Sequence, residues 1–552
     1  MKKNFKKALA LVLVCVMMLA LFACNKSTTN SNSGGTDNTG NTTGDAGGNS
    51  NTGSGSNTGG GNSDSGNNAG GGNTGGEVSD RVLKIRSMQD SVTLYQLGVT
   101  GGFISVLYGF YEPLFDTRMD GSRRWVLGSG LDRISDLQYT LTIKEGIKFS
   151  NGNPLTAEDV MFSMEQCAGN PQFALNVKVV DFEKTKVSGD YTIDLWYTEF
   201  NASQEPGFAS LLIMDKESFD EVSLSTKPIG TGPYVVTEYV VNSHMKLTAR
   251  DDYWGDQPKI KNIEFRVINE DAQVVNAMEI GDIDLATIPL SDADYIEGLG
   301  YDVEISGSGY NMVTMFSMLP GNPLESKEAR WAVCHAIDRQ AIADILFMGR
   351  SEITDSPVSR FTVDFEARFL NLNDTYSTGF NIDKAKQLAQ QSGLVGKTIR
   401  IITNGSTAYN TIAEIVQGGL LDIGVDAQII NCDQATYFPT MMDANNFEIA
   451  IFNPSSPSWM AVDVLAMYIT FIPLGWSGPD RDAYGAASMG AITTADSKAR
   501  SELLFESVRM FADLAPWYGL CESVTSRAQS SELKGVAYCM PGSVYYQDMY
   551  WG

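Results

Sequence analysis

Cys24 is the residue whose surroundings mark it most plainly for chemistry. It follows an apolar run over residues 8–23, and that run follows a start, MKKNFKK, with four lysines. A basic start, a short apolar core and a small residue before a cut site describe a secretory signal. The run is about 16 residues, short of the roughly 20 that cross a bilayer. The chemistry on offer is covalent attachment through the thiol. Elsewhere the residue types argue against catalysis. His244 and His335 have no partner at metal-ligand spacing, and no H-E-x-x-H occurs. There is no G-x-S-x-G elbow and no phosphate-cradling G-x-x-x-x-G-K-[ST]. The pieces G-T-G-P-Y (230–234) and G-S-G-L (128–131) lack the context of a dinucleotide site. Acids are numerous, but no pair stands out as a hydrolytic dyad. No metal, no cofactor and no enzyme activity are expected.

Leu21-Phe22-Ala23-Cys24 resembles the bacterial lipobox. The resemblance implies that Cys24 receives a diacylglycerol and becomes the new N-terminus after cleavage. Each buried acyl CH₂ contributes about 0.8 kcal/mol, so several chains hold where one barely does. Residues 25–76 are nearly all Gly, Asn, Ser and Thr. Burial there cannot offset chain entropy, so a disordered linker is expected over 24–77. A coil of that length spans roughly 40 Å. It would lift a folded body off the membrane, on the outer face of the cell and in a Gram-positive setting.

The body, from about Val78 to Gly552, is too long for one compact core, so two or three lobes are expected. A formal charge of −26 argues against nucleic acid and against direct adhesion to anionic lipid. Five cysteines follow Cys24 with no C-x-x-C. Buried free thiols are expected; Cys521 and Cys539 are the nearest pair if a disulfide forms.

The elements that must position any site alternate strand and helix. Arg81–Ser87 and Tyr139–Ile143 alternate as strands do, and K-E-G-I-K-F reads as a second short strand. Thr156 can cap a helix that Asp159 completes from three residues on. Ser326–Phe347 has apolar residues at helical spacing throughout. Thr411–Ile423 reads as a helix ended by Gly424, Val425–Ile430 as a strand, and Ala499–Leu514 as a helix ending before Pro516. The fold class is α/β, with no internal repeat.

Several segments occur together in a fixed order: Y-E-P-L-F-D (111–116), D-L-Q-Y-T-L-T-I-K-E-G-I-K-F-S-N-G-N-P-L-T-A-E-D-V (136–160), G-T-G-P-Y (230–234), D-D-Y-W-G-D (251–256), G-D-I-D-L (281–285) and E-A-R-W-A-V-C-H-A-I-D-R (328–339). N-I-D-K-A-K-Q-L-A-Q-Q-S-G (381–393), L-L-D-I-G-V-D-A (420–427) and A-P-W-Y (515–518) continue the series. Together they resemble the extracellular solute-binding proteins of bacterial ABC importers, family 5, the oligopeptide/dipeptide-binding type. The resemblance implies a two-lobed periplasmic-binding-protein-like fold (type II) with an extra α+β domain. Lobe I would comprise 78–111, 230–310 and 521–552, the extra domain 112–229, and lobe II 311–520. It implies a monomer that captures a peptide or small-molecule ligand between hinged lobes. The partners would be an ABC permease and its ATPase complex, with the membrane reached through the lipid anchor only.

The family's peptide binders hold the peptide's ammonium on an aspartate shortly after a strand like Phe447-Glu448-Ile449-Ala450. A gapless match puts Pro457 there, and the nearest acid is Asp463. A buried ammonium without a counter-charge is costly. Either Asp463 substitutes or the ligand differs, an oligosaccharide or other small organic molecule being the alternative. A peptide-sensing surface receptor not coupled to transport is a further one. Candidate ligand contacts are Phe103, Tyr108, Tyr310, Asn311, Trp459, Asp463 and Trp476.

Overall fold

The computed structural model describes residues 78–98, 104–118, 121–170, 173–354, 356–372, 379–454, 459–470, 472, 474–540 and 543–552. Cys24, the runs on either side of it, Phe103 and Pro457 lie outside the described residues.

One mixed sheet of ten strands runs through the molecule. In chain order they are β1 (Ser79–Ser87), β2 (Tyr234–Val240), β3 (His244–Ala249), β4 (Ile260–Val267) and β5 (Leu285–Ile288). Then follow β6 (Tyr301–Phe316), β7 (Thr398–Thr403), β8 (Asp426–Asn431), β9 (Ile449–Phe452) and β10 (Trp517–Ser530). Their spatial order is β8-β7-β9-β6-β10-β5-β1-β4-β3-β2. β1 lies parallel to β4 and β5, and β7 lies parallel to β8 and β9. Among the described residues the two halves of the sheet are joined through β6 and β10, which are antiparallel and the longest of its strands. A separate four-stranded antiparallel sheet holds 128–133, 138–143, 186–189 and 192–196.

Buried apolar side chains gather accordingly. One large core draws on Met312 to Cys521. Another draws on Tyr95 to Leu224. A third joins Leu83–Tyr111 to Tyr234–Phe265 and Leu533–Met549, with a satellite around Val274, Ile296 and Ala528.

Helix boundaries follow local chemistry. α1 (Ala157–Gly169) starts where Thr156 caps it: the Thr156 N–H donates to Asp159 Oδ2 at 2.8 Å. The expected single helix over 326–347 is two, α2 (Lys327–Ala336) and α3 (Arg339–Phe347). Ile337 is extended, and the Asp338 carboxylate accepts from the Ala341 N–H at 3.0 Å, opening a new helix. K-E-G-I-K-F forms no strand beyond a single bridge between Lys148 and Pro154. α4 (Thr407–Asp422) begins at its Ser406 cap, four residues before the expected start, and Gly424 follows at φ +78°. α5 (Ala461–Thr470), α6 (Pro479–Thr493) and α7 (Ser497–Leu514) close the second half. α7 stops at Ala515, φ +45°, ahead of Pro516. The buried Arg330 guanidinium donates to the Leu514 and Ala515 carbonyls, a cation at a helix C-terminus. Burial lowers its pKa to about 10.

The recognisable motifs meet at one seam. The buried Glu112 carboxylate accepts from Tyr253 Oη at 2.7 Å and Trp254 Nε1 at 3.0 Å. Burial pushes its pKa up, and the two donors pull it back. Arg250 donates to the carbonyls of Phe149, Gly230 and Gly232. A Cβ on Gly230 would lie 2.0 Å from the Phe110 carbonyl oxygen, so only glycine lets these backbones approach. All five described cysteines are free thiols. Burial pushes Cys521 and Cys539 up to about 12.

Candidate ligand-binding site

β6 and β10 carry the site because their pairing breaks midway. Tyr301 to Gly307 pair with Ser530 to Val524, and pairing resumes at Asn311 with Glu522. Residues 308–310 bulge between, with Gly309 at φ +87°. A bulge bends a strand and re-aims side chains. A Cβ on Gly309 would meet the Trp459 ring at 2.5 Å. Trp459 itself sits at φ +56°, where a bulky residue is strained. Its ring lies 5.4 Å from that of Tyr310, tilted by 41°.

Asn311 is buried, with its amide nitrogen 3.3 Å from Thr354 Oγ1 and 3.4 Å from the Ser356 carbonyl. Thr354 Oγ1 donates to that same carbonyl, so it must accept from Asn311. This fixes the amide's orientation and leaves Asn311 Oδ1 with no hydrogen-bond partner among the described residues. Gly309, Asn311, Ser359, Thr362, Pro454 and Trp459 are among the lining of a cavity of about 10 Å³. That is room for roughly one water.

A segment over 356–364 forms the cover. Its Val363 N–H donates to the Trp459 carbonyl at 2.8 Å, and Pro357 accepts from Trp517 Nε1 at 3.1 Å. Arg360 pairs with Glu522 at 2.6 Å and with Glu352 at 2.5 Å. Burial raises the Glu522 carboxyl, and Arg360 opposes the rise. Asp364 accepts from the Ala461 N–H at 2.6 Å and the Val462 N–H at 3.1 Å, capping α5 from across the loop. Burial pushes its carboxyl up to about 6, against the pull of those two donors.

Of the residues singled out from sequence, the structure brings together Tyr310, Asn311 and Trp459. Asp463 stands beside Val464, which lines the cavity, but its Oδ1 is 2.8 Å from Ser203 Oγ and 3.5 Å from Lys178 Nζ. Tyr108 is buried in the third core and donates to the Ala209 carbonyl at 3.3 Å. Trp476 stacks on Tyr484 at 5.2 Å, against the 312–521 core. Neither lines the cavity. Phe103 lies outside the described residues. Sequence reasoning missed Ser359, Arg360, Thr362 and Asp364. The signal for them is negative: 356–366 lies in a long connection that holds no helix or strand among its described residues, and such loops are often functional.

Two long strands thus cross a β-sheet body, with a small enclosed cavity lined by an aromatic ring and an amide at their crossing. Residues 133–470, more than half the chain, match the family model for bacterial extracellular solute-binding proteins, family 5 Middle; the chain belongs to that family. The chain is therefore a binding protein of ABC importers and not an enzyme. Among relatives, it is 25% identical over 338 residues to the nickel-binding protein NikA of Staphylococcus aureus, a match covering 60% of this chain and 66% of that one. It is 22% identical over 489 residues to the oligopeptide-binding protein OppA of Bacillus subtilis, covering 82% and 88%. Its fold is similar to the crystal structure of NikA from Brucella suis in complex with Fe(III)-EDTA. There the TM-score is 0.76 at 19% identity, covering 86% of this chain and all of that one. Structural neighbours of this kind are two-lobed.

Proposed function

We propose that this chain captures oligopeptides or dipeptides between two hinged lobes and delivers them to an ABC permease. Lobe I takes 78–111, 230–310 and 521–552, lobe II takes 311–520, and 112–229 is an extra domain. Cys24 carries the lipid that holds the body at the outer face of the cell membrane. The observation that carries this reading is the bulged β6–β10 crossing, with Trp459 lining the cavity, Tyr310 packed against its ring, and an acceptor at Asn311 without a partner among the described residues. The strands on either side of the bulge belong to different cores, so a small change of backbone angle near 307–310 swings one body against the other. Ligand that touches both lobes favours the closed form. The oligopeptide-binding relative supports peptide as cargo.

A second reading is a neutral non-peptide solute. No acid is among the described residues lining the cavity, and Asp463 already faces Lys178 and Ser203. An ammonium would find no counter-charge at the cavity wall. The test is native mass spectrometry of the full-length chain, purified gently and then denatured to release what it carries. A mixture of short peptides is expected. A single non-peptide species selects the second reading. Empty protein that binds nothing from a pooled peptide library contradicts the peptide assignment.

A further inference from the structure

Asp463 belongs to the helix that lines the cavity, yet its partners are in another body. Lys178 sits between Val177 and Val179 of the 95–224 core, and Ser203 adjoins the Gln204 that accepts from the Val179 N–H. Lys178 Nζ donates to Ser203 Oγ at 2.7 Å, and Ser203 Oγ lies 2.8 Å from Asp463 Oδ1. The carboxylate and ammonium are 3.5 Å apart, both largely sheltered from solvent. One residue before Ser203, the Ala202 N–H donates to the Ile492 carbonyl, 2.9 Å away at the end of α6. Ala202 also packs against the 312–521 core. The Arg500 guanidinium of α7 lies 5.7 Å over the Phe200 ring, within cation–π range. Three helices of one body thus meet a single loop of the other, over 200–203.

We infer that this loop is a latch: Lys178, Ser203 and Asp463, with the Ala202–Ile492 backbone bond beside them, hold the extra domain to lobe II. Every contact in it runs from protein to protein, so it stabilises the arrangement of the lobes seen here whether or not a solute sits in the cavity. Among the described residues the sheet itself passes from one half to the other through β6 and β10, and the latch is a further, breakable side-chain connection, as is the Arg350–Asp294 pair at 2.5 Å. Solute entry then requires that the latch open. The apparent affinity is then the intrinsic affinity of the open cleft scaled down by the fraction of molecules that are unlatched. Asp463 is a positioning residue for the lobes, not a ligand residue. The inference rests on reading the cavity as a solute cleft, but its test needs no solute, so the two can fail separately.

The Ala202 amide reports the latch directly, because its hydrogen bond crosses the interface. The experiment is amide hydrogen exchange on the full-length chain and two variants, Asp463→Asn in lobe II and Lys178→Met in the extra domain. Exchange at Ala202 is expected to speed up about tenfold in each, as for a local opening made easier. Amides of strand 192–196, inside the extra domain, should keep their rates. The double swap Lys178→Asp with Asp463→Lys should restore protection at Ala202. Unchanged exchange at Ala202 in both single variants overturns the latch. So does acceleration that spreads equally to 192–196 in both, since the domain itself would then have loosened.

Discussion

The seam at 110–112, 230–232 and 250–254 and the crossing of β6 with β10 are both buried, and both hold a buried polar atom without a partner among the described residues, Tyr111 Oη at the seam and Asn311 Oδ1 at the crossing; they differ in how they tie up charge and in backbone strain. At the seam the charged groups are committed. Glu112 holds Tyr253 and Trp254, and Arg250 holds four carbonyls and Asp252. At the crossing one end of the Asn311 amide is idle, and Gly309 and Trp459 both hold left-handed backbone angles. A scaffold is stabilised by satisfying its buried groups. The site proposed at the crossing keeps backbone strain that a bound ligand could stabilise.

The contrast can be broken most severely at the seam. Gly230→Ala places a methyl 2.0 Å from the Phe110 oxygen, so the backbones must part. A loss of about 3 kcal/mol or more is expected, of the overpacking kind, read as a fall in the denaturant midpoint. The next largest effect is one of pH. Asp364 has its pKa raised from 3.8 to about 6 by burial. Between those values the folded chain keeps a proton that the unfolded chain has released. Stability therefore falls as pH rises from about 4 to about 6, by up to roughly 3 kcal/mol. Asp364→Asn should remove that part of the slope, measured as the difference between parent and variant in urea midpoints at the two ends of the window. Gly309→Ala comes third: a left-handed alanine pushing on Trp459 should cost about 1–2 kcal/mol and speed solute release, seen in the dissociation rate. Glu112→Gln, which leaves one of two donors without its acceptor, should cost about 1 kcal/mol and leave solute affinity unchanged.

The same contrast explains what could be read from sequence. Elements fixed by near neighbours were legible: β1 by its alternation, α1 by Thr156 and Asp159, the end of α7 by Pro516. The motifs that betray the family are largely seam residues, with tight steric and hydrogen-bonding demands on each position. Within 326–347 the apolar spacing hid a boundary that Asp338, a good helix cap, could have shown. The site was half legible. Tyr310 and Trp459 stood out as aromatics in irregular stretches. The cover over 356–364 has no period, so nothing local announced it. Asp463 looked like a ligand acid because its partners lie 285 and 260 residues away. Pairings at that separation come from the fold, not from spacing.

The most direct test of the central claim compares what the protein carries after one change in each region. Native mass spectra of the full-length parent, Trp459→Ala and Glu112→Gln would be recorded side by side, with thermal unfolding as the check on folding. Lost cargo in Trp459→Ala, with cargo kept in Glu112→Gln, is the result the crossing-centred site requires. A folded Trp459→Ala that holds the parent's cargo at the parent's stoichiometry would place the solute elsewhere and contradict the account.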